Sequence, residues 1–123
     1  MIGSRSFEDR SLLFCVLDKH YITEIISGGA KGADTFSEEY AIRKNISHTT
    51  IKPNWYKYPK TAGFVRNKEI IRGCDVVIAF WDGISGGTLD SLKHAQKLKK
   101  KIIIVGFGEL TSEEIHGNLY KKN

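Results

Sequence analysis

Apolar residues recur along this chain with two different periods, and the alternation between them predicts an α/β fold. Between Ser6 and Tyr21 the apolar positions 12, 13, 16 and 17 repeat with a helical period, and Ser6 or Asp9 stands where an N-cap belongs. Ile22 to Ser27 reads as a strand, and Asp34 to Asn45 as a helix with Phe36, Tyr40 and Ala41 on one face. Thr49 to Lys52 is a short strand stopped by Pro53, and residues 53–63 form a loop that carries Trp55, Tyr56, Tyr58 and Pro59. Phe64 to Gly73 follows as a helix. Val76 to Trp81 is apolar throughout, which suits a parallel strand buried on both faces. Thr88 to Lys100 is a helix with Leu89, Leu92, Ala95 and Gln96 inward, and Ile102 to Val105 is the last strand. Strands alternating with helices predict one α/β domain built on a mostly parallel sheet. Only Met1-Ile2 precede the turn Gly3-Ser4-Arg5, so the first strand is very short against the usual ~5–6 residues. Either the native start lies upstream or another group covers that gap.

In such sheets ligands bind outside the carboxyl ends of the strands. Two glycine-rich turns lie there. The first, Ser27-Gly28-Gly29-Ala30-Lys31-Gly32-Ala33-Asp34, follows Ile22–Ile26; the second, Asp82-Gly83-Ile84-Ser85-Gly86-Gly87-Thr88, follows Val76–Trp81. Each leads into a helix. Glycines let backbone N–H groups approach an anion, and the helix dipole adds positive potential. The first turn has neither the G-x-x-x-x-G-K-[ST] spacing of a Walker loop nor the G-x-G-x-x-G of a dinucleotide site, so ATP hydrolysis and NAD binding lose support. Arg5 after Gly3-Ser4 can grip a phosphate bidentately, and Lys31 can face one. Asp34 can hold a ribose hydroxyl or cap its helix. Ala62-Gly63-Phe64-Val65-Arg66-Asn67-Lys68 brings Arg66 and Asn67 to a helix start, where both can touch a phosphate or a base. Ser85, Gly86, Gly87 and Thr88 offer backbone donors and two hydroxyls, and Trp55 or Tyr58 can stack on a base. His20, His48, His94 and His116 lie away from both turns in sequence, and no metal-ligand spacing appears.

Length and charge narrow the picture. With 123 residues the chain is expected to be a single domain, with a basic tail at about 110–123. No apolar run approaches the ~20 residues of a membrane helix, and no signal peptide is visible. Cys15 and Cys74 both fall in apolar segments and read as reduced core thiols, which implies a cytoplasmic protein. The net charge of +5 owes much to Lys93, Lys97, Lys99, Lys100, Lys101, Lys121 and Lys122. No aromatic residues interleave with these lysines, so nucleic-acid binding through them is expected to be weak and salt-dependent.

Taken together, Gly3-Ser4-Arg5, the Ser27–Asp34 segment, Trp55, Ala62-Gly63 with Arg66-Asn67, and Trp81-Asp82-Gly83 with Ser85-Gly86-Gly87-Thr88 resemble the SLOG superfamily, and within it the small YspA-like branch. The resemblance implies a Rossmann-like three-layer domain. It also implies a nucleotide or nucleotide-derived ligand at the glycine turns, such as an ADP-ribose-like or cyclic nucleotide signal, held by a sensor or a sequestering protein. Relatives commonly self-associate, so a homodimer or larger is expected. LOG members of the superfamily cleave the base from nucleoside monophosphates, with an arginine ahead of a strand and a G-G-x-G-T-x-x-E turn after it. Arg66 stands nine residues before Asp75, as that arginine would, and Gly87-Thr88 matches the glycine-threonine pair. The glutamate position falls on Ser91. Asp90 comes one residue early, which turns it by about 100° on a helix. An oxocarbenium-like transition state needs a placed carboxylate. The expectation is therefore a binding protein without a cofactor. Arg66 and Asp90 would be catalytic only if it is a nucleotide N-glycosidic hydrolase. A DprA-like nucleic-acid binder is the further alternative.

Overall fold

The computed structural model describes residues 1–107. The expected basic tail, with Lys121, Lys122 and His116, lies outside them. The order is β1 (Ile2–Gly3), α1 (Arg10–Asp18), β2 (Glu24–Ser27), α2 (Ala33–Lys44), β3 (Ser47–Thr50), α3 (Ala62–Arg72), β4 (Val76–Trp81), α4 (Gly86–Lys97) and β5 (Lys101–Gly106). Every strand pair is parallel: β1 and β5 flank β4, and β3 lies beside β2. The Met1 nitrogen donates to the Ile26 carbonyl at 2.9 Å and so bridges the two ladders across the short first strand. β1 thereby stands between β2 and β4, the central place expected of a first strand in a Rossmann-like order.

Period-2 alternation along β4 sorts the core into two layers. Ile78 and Phe80 join Leu13 and Leu17 of α1 and Tyr40 and Ala41 of α2 on one face. Val77, Ala79 and Trp81 join Ile70 and Ile71 of α3 and Leu92 and Ala95 of α4 on the other. The fold is the α/β three-layer domain with a parallel sheet and a very short first strand. Phe7, beyond the end of β1, packs on Phe80 with ring centroids 4.6 Å apart. Such an aromatic pair contributes about 0.5–1.5 kcal/mol beyond its buried area, and it anchors the chain that leaves β1.

Local chemistry sets the element ends. Asp9 caps α1 by accepting from the Leu12 amide at 3.0 Å. Asn45 closes α2 in the left-handed conformation, φ 55°. Most element boundaries differ from the sequence reading by one to four residues, and three elements show why. β3 covers Ser47–Thr50 rather than Thr49–Lys52, because pairing with Glu24–Ser27 fixes its register. Helices α3 and α4 start two residues early, at Ala62 and Gly86, because the small residues expected in the turns form the first helical turns instead. Cys15 is exposed, not a core thiol: Leu13 and Leu17 face inward, and a residue midway between them points out. Cys74 is partly buried. Among the described residues no helix is long and apolar enough to cross a membrane.

Candidate functional site

A cavity of about 500 Å³ opens at the carboxyl ends of β1, β2 and β4. That volume suits a small ligand of nucleotide size. Three groups of expected residues meet there: Gly3, Ser4 and Arg5 at the end of β1; Ala30 and Asp34 around the start of α2; and Ser85, Gly87 and Thr88 at the start of α4. Gly63, Phe64, Arg66 and Asn67, from the first turns of α3, close it from the opposite side. Gly28, Gly29, Lys31, Trp55, Asp82, Gly86 and Asp90 do not line it, whereas Ser91 does.

The two glycine turns differ in kind. In the first, the anion position is filled from within. Asp34 Oδ2 accepts from the Gly28 amide at 3.2 Å and the Ala30 amide at 3.1 Å, so those donors are spent on the protein's own carboxylate. Asp34 does not cap α2, whose N-cap is Gly32. It staples the turn that leads into α2. Burial pushes its carboxyl above the usual carboxylate range, against the opposing pull of the Ala30 amide, the Met1 amine, the Gly28 amide and Arg66. Gly32 adopts φ 83°, and a side chain there would press on the Ser4 carbonyl at 2.9 Å; only glycine lets this turn lie against the chain leaving β1.

In the second turn a carboxylate also takes up amides of the turn, but the helix that follows keeps no side-chain cap. Asp82 Oδ1 accepts the amides of Ile84 and Ser85, and its Oδ2 takes the Ser85 hydroxyl at 2.6 Å. Burial alone would raise the Asp82 carboxyl; these bonds and that of Ser4 outweigh it and hold the carboxyl below its usual range. The Ser4 hydroxyl in turn accepts the Asp82 amide at 3.1 Å and ties the β1 and β4 turns together. Because Ser85 Oγ serves Asp82, no side chain caps α4. Gly87 and Thr88, in the first turn of α4, line the cavity, so the positive end of the helix dipole lies at its wall. Helix α3 likewise begins at the cavity with no side-chain cap.

Arg66 is fixed before any ligand arrives. Its Nη1 donates to the Gly28 carbonyl at 2.7 Å, and its Nε donates to Asn67 Oδ1 at 2.7 Å. The guanidinium lies flat on Gly28, and a Cβ there would stand 2.7 Å from Arg66 Cζ. The missing Cβ of Gly28 thus makes room for Arg66 in this position. Burial lowers the proton affinity of Arg66, Asp34 restores some of it, and repulsion from Arg5 lowers it again. An arginine stays charged at neutral pH regardless. Two guanidinium groups therefore share one cavity, and Asp34 is the single carboxylate in its lining among the described residues.

His48 escaped the sequence reading. Its Nε2 lies 3.1 Å from Ser27 Oγ, at the base of the first turn, and its Nδ1 lies 3.3 Å from Thr50 Oγ1. The pairing of β2 with β3 that puts Ile25 opposite His48 brings them together. Ser27 is completely buried, so the pair braces the turn and offers no nucleophile. Among the described residues no cluster of three or more His, Cys, Asp or Glu forms a metal site.

Comparison with known proteins agrees with this architecture. No curated protein matches the chain. Residues 1–58 match the model of the YspA, cpYpsA-related SLOG family. Among solved structures, DNA processing protein A (DprA) from Streptococcus pneumoniae superposes with a TM-score of 0.68 at 17% identity. The match covers 94% of this chain and 54% of that one, so this chain spans about half the length of DprA. By sequence, residues 1–58 resemble the YspA, cpYpsA-related SLOG family, and across nearly its whole length the chain shares the fold of DprA.

Proposed function

We propose that the cavity binds the phosphorylated part of a nucleotide or nucleotide-derived small molecule, and that the protein acts as a sensor or a sequestering protein. One observation carries this reading: two uncapped helix N-termini, those of α3 and α4, converge with Arg5 and Arg66 on one cavity of nucleotide size. Backbone amides and dipoles favour an anion there, and Arg66 is already held in place for it. Calorimetry with adenosine, AMP, ADP and ADP-ribose tests the reading. The phosphorylated ligands should bind tighter than adenosine; equal affinity for all four would sink it.

Little or no release of free base from nucleoside monophosphates is expected. Asp90 lies outside the cavity lining, and Ser91, which lies in it, is neutral and donates to the Gly87 carbonyl at 3.1 Å. Asp34 lines the cavity but commits Oδ2 to two amides. Chromatography of AMP, CMP and GMP after long incubation checks this. Multiple turnovers abolished by Asp90→Asn would make the protein a LOG-type hydrolase.

We also expect self-association. Tyr21, Ile42 and Val76 are exposed apolar side chains, and the sheet is thin around its short first strand. Light scattering at micromolar concentration should give a mass of at least twice the 13.9 kDa of one chain; a monomer mass would refute it.

A further inference from the structure

Between Ile51 and Lys68 the chain carries Lys52, Lys57, Lys60, Arg66 and Lys68 and no Asp or Glu. Trp55, Tyr56, Tyr58 and Phe64 are interleaved with those cations. Trp55 is 56% exposed and Tyr56 98% exposed, although large aromatic rings ordinarily bury themselves. The segment is built, not loose. Asn54 Oδ1 accepts the Lys57 amide, the Asn54 carbonyl accepts the Tyr58 amide at 3.0 Å, and the Tyr58 carbonyl accepts the Ala62 amide at 3.0 Å. These successive turns run straight into α3, and the Ile51 amide bonds the Ser27 carbonyl at 2.8 Å to anchor the other end. Lys57 lies over the Tyr58 ring, 5.3 Å from its centroid, which leaves Trp55 and Tyr56 as the open rings.

The segment also adjoins the cavity. A Cβ on Gly63 would stand 4.0 Å from Trp55 Cη2, and Gly63 is part of the cavity lining. Phe64, half-exposed, lies in that lining too. A mononucleotide filling about 500 Å³ leaves Trp55 and Tyr56 outside and unused. A chain of nucleotides does not. Its first unit fills the cavity, its next bases meet exposed rings, and its phosphates meet a run of lysines without a single opposing carboxylate. Charge interleaved with aromatic rings is the pattern that tracks single strands, because every base presents a π-face.

We infer that residues 52–64 form a stacking platform at the cavity mouth for the second and later nucleotides of a single-stranded oligonucleotide. The inference rests on the reading of the cavity as a nucleotide site. It departs from the expectation drawn from the α4 and tail lysines, which lack such aromatics. The sugar can be ribose or deoxyribose, and both are tested.

The chain contains two tryptophans, and Trp81 is completely buried, so a change in tryptophan emission on stacking reports Trp55. Titrations would compare AMP with 5′-phosphorylated hexaadenylate in ribo and deoxy forms. A hexamer should bind at least about tenfold tighter than AMP and quench the emission, whereas AMP should bind without quenching. The double substitution Trp55→Ala with Tyr56→Ala, both on the surface, should abolish the hexamer's advantage and leave AMP affinity unchanged. Changing Lys52, Lys57 and Lys60 to glutamine should reduce the salt dependence of hexamer binding by about 0.7 in log–log slope per lost phosphate contact. If AMP binds and neither hexamer binds tighter, the platform is refuted and the cavity reading stands. An advantage that survives the double substitution refutes the platform as well. If AMP fails to bind while a hexamer binds with quenching, the cavity reading falls, and with it the assignment of these rings to the second and later nucleotides. No binding of either overturns both.

Discussion

Replacing Arg66 with alanine is expected to weaken binding of phosphorylated nucleosides by about 1.5–3 kcal/mol, the range for a hydrogen bond to a charged group. That is about 10- to 150-fold in affinity. The effect is large because the side chain is pre-arranged. Its Nη1 and Nε bonds to Gly28 and Asn67 remove the rotamer freedom a flexible arginine would lose on binding. Those two bonds leave other guanidinium N–H groups for a ligand, since arginine has five. Arg66→Ala also releases the Gly28 carbonyl, so affinity alone does not isolate phosphate contact. The comparison with adenosine does. Calorimetry on the variant should show the gain from adenosine to AMP shrinking, while adenosine affinity barely moves. A preserved phosphate gain would remove Arg66 from the site. Arg66→Lys should fall between the two, because an ammonium keeps the charge without the planar fork.

Much of the fold was legible because its signals are local. The apolar run Val76–Trp81 is β4 to the residue, and Asp9 caps α1 as its position before the helical pattern suggests. The brevity of β1 was also readable, since only two residues precede Gly3. Its central place depends on one long-range bond, from Met1 to Ile26, which no local pattern announces. The β3 boundary slipped for the same reason: a polar strand, Ser47-His48-Thr49-Thr50, has no hydrophobic period and takes its register from its partner. In the candidate site, helix phase alone separated Asp90 from Ser91, and the cavity lining keeps that separation. What the chain order concealed was how donors are used. Gly28 looks like an anion-binding glycine, yet its amide serves Asp34 and its missing Cβ makes room for Arg66. Trp55 invited a stacking role on its own. The arrangement of Trp55 and Tyr56 with Lys52, Lys57 and Lys60 beside the cavity needed the packing of Gly63 to be seen.

Asp34→Ala should lower stability by about 2–4 kcal/mol. It strands the Gly28 and Ala30 amides, and an unsatisfied buried polar group costs about 1–3 kcal/mol. Asp34→Asn should behave differently. Its amide oxygen can still accept both N–H groups, and it places no charge in a buried position. Its stability should stay within about 1 kcal/mol of the parent protein at neutral pH, because the hydrogen bonds persist while the desolvation cost disappears. The pH dependence follows from the direction of the shift. Burial raises the folded-state pKa of Asp34 above the ordinary carboxylate value near 3.8, so the folded protein holds that proton more tightly than the unfolded chain. This group therefore favours folding below its unfolded value. The benefit is lost as pH climbs from there through the raised folded value, and the ionised, buried carboxylate remains as a cost above it. Asp82 runs the opposite way: its pKa is lowered, so its contribution is present above 3.8 and lost as pH falls through the folded value. Asp34→Asn removes the first component and leaves the second. Urea denaturation of the parent and both variants from pH 4 to 7 measures this. The gap between the parent and Asp34→Asn should move in favour of Asn as pH rises, while Asp34→Ala stays the least stable throughout. An alanine variant as stable as the parent would mean that water satisfies the turn, and that Asp34 lies in the cavity for its ligand rather than for the fold.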